Sequence, residues 1–264
     1  MSEGKRSKLR LVGYVFCAIV FTYILFKRPL IVSHNTQAPL LSDDASQGEK
    51  GKSVAGSLHG IDVSHDQGKV NWTSVAHSDI KFVYLKATDG MTYQDPDFKA
   101  NSDALAQIND SAERIWVGAY HFFEAEDDPA KQAQNFLLSL ADNNLTLAPM
   151  IDVEITRGVP ADEIKKRLKT LLKIIEESTG CKPVLYSYGD FWKANIGEGF
   201  NEYPFWLADY DGAMTVPDGL KNLVLWQHSE TGHVEGINGH VDLDIVVDEA
   251  RLKDIKCHGK KEVK

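Results

Sequence analysis

At 264 residues the chain exceeds an average domain, yet it fits one α/β barrel with a single sizeable core. A formal net charge of -9 excludes the basic patch that a nucleic-acid binder carries, so no nucleic-acid partner is expected. Three cysteines without C-x-x-C spacing exclude a disulfide-dense scaffold and a cysteine metal site, and neither a metal nor a cofactor is expected.

At the N-terminus Lys5, Arg6, Lys8 and Arg10 precede an uncharged apolar run from Leu11 to Phe26, closed by Lys27-Arg28. The run is slightly short of the roughly 20 residues of a spanning helix, but long basic side chains at its ends reach the interface. A cleaved signal peptide is the rival reading. Against it, no small-x-small site follows the run, and a charged pair with Pro29 stands where cleavage would fall. The expectation is a basic cytoplasmic segment at 1–10 and a transmembrane signal anchor at 11–28, with the remainder periplasmic or extracellular. The Ser-, Asp-, Gln-, Gly- and Lys-rich stretch at 29–56 lacks apolar periodicity and predicts a flexible linker. A single folded domain is expected at 57–257 and a charged tail at 258–264.

Past the linker, strand-like runs alternate with helical patterns. Strands are predicted from Leu58 to Val63, Phe82 to Ala87, Ile115 to Phe122, Leu147 to Val153, Pro183 to Tyr186, Pro204 to Ala208, Leu223 to Gln227, and near His240 to Leu243. Ile164, Leu168, Leu171, Leu172 and Ile175 mark one face of a helix that opens after Pro160 with Asp162-Glu163 and stops at Gly180. Two more helices are predicted from Phe98 to Ala112 and from Pro129 to Leu140, and only loops or single turns after Pro204. Crossover helices between strands imply a parallel sheet, and eight strands imply an incomplete, flattened (β/α)8-like barrel with reactive groups at the C-terminal strand ends.

Those ends are polar or aromatic throughout. The fourth strand lies in LAPMIDVE, Leu147 to Glu154, where alternation puts Asp152 and Glu154 on one side and Val153 on the other. The bland reading is a strand end whose carboxylates cap loop N–H groups; the sharp one is paired acid/base chemistry on a sugar, with one carboxyl kept protonated beside a charged neighbour. The first strand ends near Asp62, the second leads to Asp89, the third runs into His121, and the last ends in Asp242 and Asp244. Trp72, Tyr93, Tyr120, Phe122, Tyr186, Trp206, Tyr210 and Trp226 offer flat surface for sugar rings, and core packing is the competing use of each.

GIDVSHDQGKVNW at Gly60, FVYLKATDG at Phe82, GAYHFF at Gly118, PMIDVE at Pro149, VLYSYGDFW at Val184, FWLADY at Phe205 and LWQHSETGHVEGINGHVDLD at Leu225 together resemble the glycoside hydrolase family 25 lysozymes. The resemblance implies cleavage of the β-1,4 bond between N-acetylmuramic acid and N-acetylglucosamine in peptidoglycan. It places the acidic site on Asp62, Asp152, Glu154 and Asp242, with Glu154 as proton donor. Asp89 stands where the family commonly carries glutamate, and Asp244 where asparagine is frequent. Asp89, Tyr93, Tyr120, His121, Phe122, Tyr186, Trp206, Tyr210, Trp226 and Gln227 are the candidate substrate contacts.

Two other classes remain open at this stage. A membrane-tethered binding module that has lost catalysis would keep the groove, and a metal-dependent barrel hydrolase would need a His and carboxylate set that no H-x-H or H-E-x-x-H pattern supplies. Cys181, before the fifth strand, and Cys257, in the closing segment, are both expected at the barrel bottom; an extracytoplasmic compartment permits a bond, but the expectation leans towards two separate thiols. Because Asp152 and Glu154 approach from one side, the expected mechanism uses the substrate's own acetamido oxygen and gives net retention.

Overall fold

The computed structural model describes residues 58–110, 115–141, 143 and 145–257. The expected signal anchor, the expected linker and the expected charged tail fall on residues outside these. Among the described residues no helix is long and apolar enough to cross a membrane.

Nine strands form one sheet among the described residues: β1 (His59–Val63), β2 (Ile80–Asp89), β3 (Tyr93–Gln94), β4 (Trp116–Phe122), β5 (Met150–Asp152), β6 (Val184–Tyr188), β7 (Phe205–Ala208), β8 (Leu223–Gly232) and β9 (Val241–Val246). β1 pairs with both β2 and β9, so eight strands close a barrel in the order β1-β2-β4-β5-β6-β7-β8-β9, and β3 hangs on the far end of β2 as a short hairpin arm. The expected all-parallel sheet needs correction. β9 runs antiparallel to both neighbours, because only residues 233–240 separate it from β8 and a parallel return needs a crossover of a dozen or more residues. Asp242 therefore sits near the beginning of β9, at the mouth, and Asp244 lies one step deeper.

The helices are α1 (Trp72–Ala76), which the sequence patterns did not reveal, α2 (Phe98–Asn109), α3 (Pro129–Leu140) and α4 (Ala161–Thr179). α3 starts where expected, with Asp128 accepting from the N–H groups of Ala130 and Lys131 ahead of a first-turn proline. α4 buries its Ile164, Leu168, Leu171, Leu172 and Ile175 face and ends on Gly180 at φ 76°, the left-handed cap that glycine takes at least cost. From β6 onward the connections shorten to turns of helix, and the ring of helices is incomplete.

Alternation along the strands divides two cores. Ile61, Val83, Leu85, Val117, Ala119, Ile151, Leu185 and Leu207 point outward under the helices, while Phe82, Tyr84, Tyr120, Met150, Val184, Tyr186 and Trp206 fill the barrel. Gly118 makes room inside: a Cβ there would stand 2.3 Å from the Tyr84 ring.

The C-terminal segment closes the bottom. Ala148 N–H donates to Ile255 O at 2.7 Å, Cys257 N–H donates to Thr146 O at 3.0 Å, and Leu252, Ile255 and Cys257 join the inner core. Cys181 and Cys257 are disulfide-bonded with Cα atoms 5.8 Å apart, which corrects the expectation of separate thiols. The bond closes a long loop, with a separation of 76 residues. Reduction is expected to destabilise the domain by about 2–5 kcal/mol, and urea unfolding with and without reductant measures it. An unchanged midpoint would mean that the bond does not form in solution.

Candidate active site

The mouth of the barrel gathers carboxylates from three strands. Asp62 on β1 faces Asp242 on β9 in register, and Asp152 on β5 is followed at the strand end by Glu154. All four expected acids thus come together. Gln227 on β8 ties them to the opposite wall: its Nε2 donates to Asp62 Oδ2 at 2.6 Å, and its Oε1 accepts from the Tyr186 hydroxyl at 2.6 Å and from the Tyr210 hydroxyl. Asp152 is 8% exposed, and its Oδ1 accepts no hydrogen bond from the protein.

Burial and crowding raise every one of these acids above its ordinary range. Burial and then Asp242 lift Asp62, while the Gln227 hydrogen bond opposes them. Burial and Glu154 lift Asp152, Lys86 acting against them. Glu154 is pushed up to about 7 by burial and by Asp242, again against Lys86, and Asp242 up to about 6 by burial and Glu230. Asp244 is fully buried beneath them with neither oxygen hydrogen-bonded, and burial followed by Asp62 and Asp242 raises it too. Carboxyls of this kind bind protons more tightly folded than unfolded. Their contribution to stability is fully present below the unfolded values near 4 and is lost as pH rises through about 6 and 7. The thermal midpoint is therefore expected to fall between pH 5 and pH 8, by a slope that Asp244→Asn, an uncharged shape-mimic, makes shallower; calorimetry across that range tests both.

The expected substrate contacts divide. Tyr120 and Phe122 point inward on β4, and Tyr186 does so on β6. Tyr210 stands on the rim, 43% exposed. Asp89 faces inward at the end of β2, opposite Phe122 in register, with Lys86 Nζ 3.6 Å away. Tyr93 lies on the β3 arm, where its hydroxyl meets His65 Nδ1 at 3.2 Å, and Asp95 holds the same nitrogen at 2.8 Å.

Three candidates leave the site. His121, between Tyr120 and Phe122, points outward, hydrogen-bonds Thr88 Oγ1 at 2.7 Å and Gln132 Oε1 at 3.1 Å, and stacks on Phe136; burial lowers it to about 4. Trp206 is fully buried below the mouth between Tyr84 and Tyr186. Trp226 is in register with outward-facing Leu207, and its indole N–H donates to Asp209 O at 2.8 Å. Trp72 is core as well, its indole bound to Asn101.

Two residues join that the sequence reading passed over. Lys86 shares the inward parity of Phe82 and Tyr84, and Tyr188 the parity of Tyr186 one step further up β6. Tyr188 is 41% exposed, and with Glu154, Thr156, Arg157 and Asn195 it lines a groove of about 550 Å³ that runs from the proton-donor candidate. A larger hollow of about 1090 Å³, around α1, α2 and Gly236, contains none of these acids. Among the described residues no three His, Cys, Asp or Glu side chains are arranged to hold a metal ion.

The sequence profile described as glycosyl hydrolases family 25 matches residues 61–237, which include Asp62, Asp152 and Glu154 and stop just short of Asp242. YegX of Escherichia coli K12 is 37% identical over 193 residues, covering 71% of this chain and 69% of that protein. An autolytic lysozyme of Clostridium acetobutylicum is 31% identical over 187 residues, 71% of this chain and 55% of its own length. The crystal structure of a bacterial lysozyme from Streptomyces coelicolor superimposes with a TM-score of 0.67 at 30% identity, over 75% of this chain and 96% of the other. With two-thirds of its length under the family profile and the acids of that region gathered at one barrel mouth, the chain belongs to glycosyl hydrolases family 25.

Proposed function

We propose that the protein is a lysozyme, an N-acetylmuramidase that hydrolyses the β-1,4 bond between N-acetylmuramic acid and N-acetylglucosamine in peptidoglycan. The observation that carries the reading is Glu154: a carboxyl raised to about 7 among other acids, at the head of an open groove. Such a group is protonated at mildly acidic pH and reaches substrate, which is what a general acid needs. Asp152 supplies the second part. Its buried Oδ1, unmatched by any protein donor, suits the N–H of a 2-acetamido group.

The reaction follows from these two positions. Glu154 gives its proton to the glycosidic oxygen as the bond from that oxygen to C1 breaks, while the acetamido carbonyl oxygen attacks C1 from the opposite face. Asp152 holds the acetamido N–H and offsets the positive charge of the resulting oxazolinium ring. Water then adds to C1 from the face the leaving sugar vacated, Glu154 takes its proton, and the configuration is retained. Asp62, bound to Gln227, and Asp242 hold the ring, and Asp242 keeps Glu154 protonated through repulsion.

Tethering by the anchor at 11–28, with the barrel outside the cytoplasm, belongs to the same proposal, and peptidoglycan there is the partner. A catalytically silent binding module draws no support from a mouth that keeps all four acids. Incubating the purified protein with peptidoglycan and identifying the new reducing ends is the test. N-acetylmuramic acid at those ends supports the proposal; N-acetylglucosamine, or no new ends, overturns it.

A further inference from the structure

The mouth holds one cation that the reaction as written does not use. β2 carries a bulge between Lys86 and Thr88, where its pairing with β4 shifts by one residue. Without the bulge, residues 86 and 89 would face opposite sides of the sheet; with it, Lys86 and Asp89 both face inward. The Lys86 side chain is 17% exposed, its Nζ lies 3.6 Å from Asp89 Oδ2, and it stands 5.2 Å from the centre of the Phe122 ring. An aromatic face and a carboxylate fix an ammonium from two directions.

We propose that Lys86 is a positioning residue for the proposed hydrolysis: tethered by Asp89 and seated over Phe122, its ammonium offsets the negative charge that appears on Glu154 when the proton leaves. The inference rests on the lysozyme reading. The reaction as proposed needs Glu154 neutral and Asp152 charged before the proton moves; afterwards it leaves both as anions, with the Asp62 and Asp242 carboxyls beside them. In a buried mouth a second anion costs more than it does in water, and a cation placed in advance removes that cost without reorganisation. The arrangement also gives Asp89 a use that needs no contact with sugar, since the shorter aspartate reaches Lys86 from its own strand.

The other charges facing this pair do not replace Lys86. On β1 and β9 stand Asp62, Asp242 and Asp244, all acids that act against a new anion. The neutral hydroxyls of Tyr120, Tyr186, Tyr188 and Tyr210 complete the wall. Arg157, the other cation that acts on Asp89, is engaged by Glu124 through two hydrogen bonds of 2.8 and 2.7 Å. Lys86 alone among these lowers both Asp152 and Glu154.

Lys86→Met and Lys86→Arg in the full-length protein test the role. Lys86→Met is expected to lower kcat by about tenfold or more with KM changed by less than about threefold, and to move both limbs of the pH–rate profile to higher pH. Lys86→Arg keeps the charge and is expected to restore most of the rate and the original limbs. A fall confined to KM would make Lys86 a substrate contact and overturn the inference, as would unmoved limbs. Carbon-13 titration of the Glu154 and Asp152 carboxyls in both proteins reads the same field without turnover, and an upward move of both in Lys86→Met is expected. If wild-type protein releases no muramic reducing ends, the lysozyme reading falls while this titration still decides on Lys86; identical curves would end it.

Discussion

Glu154→Gln is expected to reduce peptidoglycan hydrolysis by about 100- to 10,000-fold, since general acid catalysis supplies a factor of that size. Gln keeps the volume and the hydrogen bonding of the side chain and removes only the transferable proton. The same change should leave the fold intact and raise the thermal midpoint above pH 7. There the wild-type carboxyl, held at about 7 in the folded state, carries a charge among Asp62, Asp152 and Asp242, whereas in the unfolded chain it ionises without penalty near 4.5. Loss of activity with a gain in alkaline stability is the signature of a strained acid. Near-wild-type turnover by Glu154→Gln would remove Glu154 from the mechanism.

The second large effect concerns the substrate. If the acetamido oxygen is the nucleophile, glycan stripped of the N-acetyl group on muramic acid offers no internal attack, and its cleavage should fall by orders of magnitude. A free 2-amino group is also cationic and would pair with Asp152 unproductively. Mass spectrometry of the quenched enzyme should find no sugar ester on Asp62, Asp152 or Asp242, and the first-formed product should keep the β configuration by proton NMR. Rapid cleavage of deacetylated glycan, or a trapped ester, would transfer the attack to an enzyme carboxylate.

Much of this site could be read from alternation. Asp152 and Glu154 in PMIDVE, and Asp62 at the close of GIDV, follow from a period of two with apolar residues facing the helices. The same rule, applied strictly, excludes His121, because Tyr120 and Phe122 on either side point inward. It likewise excludes Trp226 next to Gln227, and it would have admitted Lys86 and Tyr188. What alternation does not carry is direction and distance. The reversal of β9 depends on the brevity of the turn at 233–240, and a run of mixed Val, Asp and Leu reads alike in either sense. The bulge in β2 is likewise invisible in FVYLKATDG, and without it Asp89 would be assigned to the wrong face. The pairing of Cys181 with Cys257 requires the C-terminal segment to return across the barrel bottom, a long-range event with no local signature.

That bond makes a covalent circle of residues 181–257, and the circle cuts the mouth in two. Asp62, Lys86, Asp152 and Glu154 belong to the open part of the chain, whereas Tyr186, Tyr210, Gln227 and Asp242 ride on the circle. A protease that nicks any loop inside it leaves both halves linked, so a clipped molecule keeps its mass on a non-reducing gel and keeps Gln227 within reach of Asp62. For a protein proposed to work outside the cell, among other cells' hydrolases, the circle separates the cutting of the chain from the loss of the enzyme.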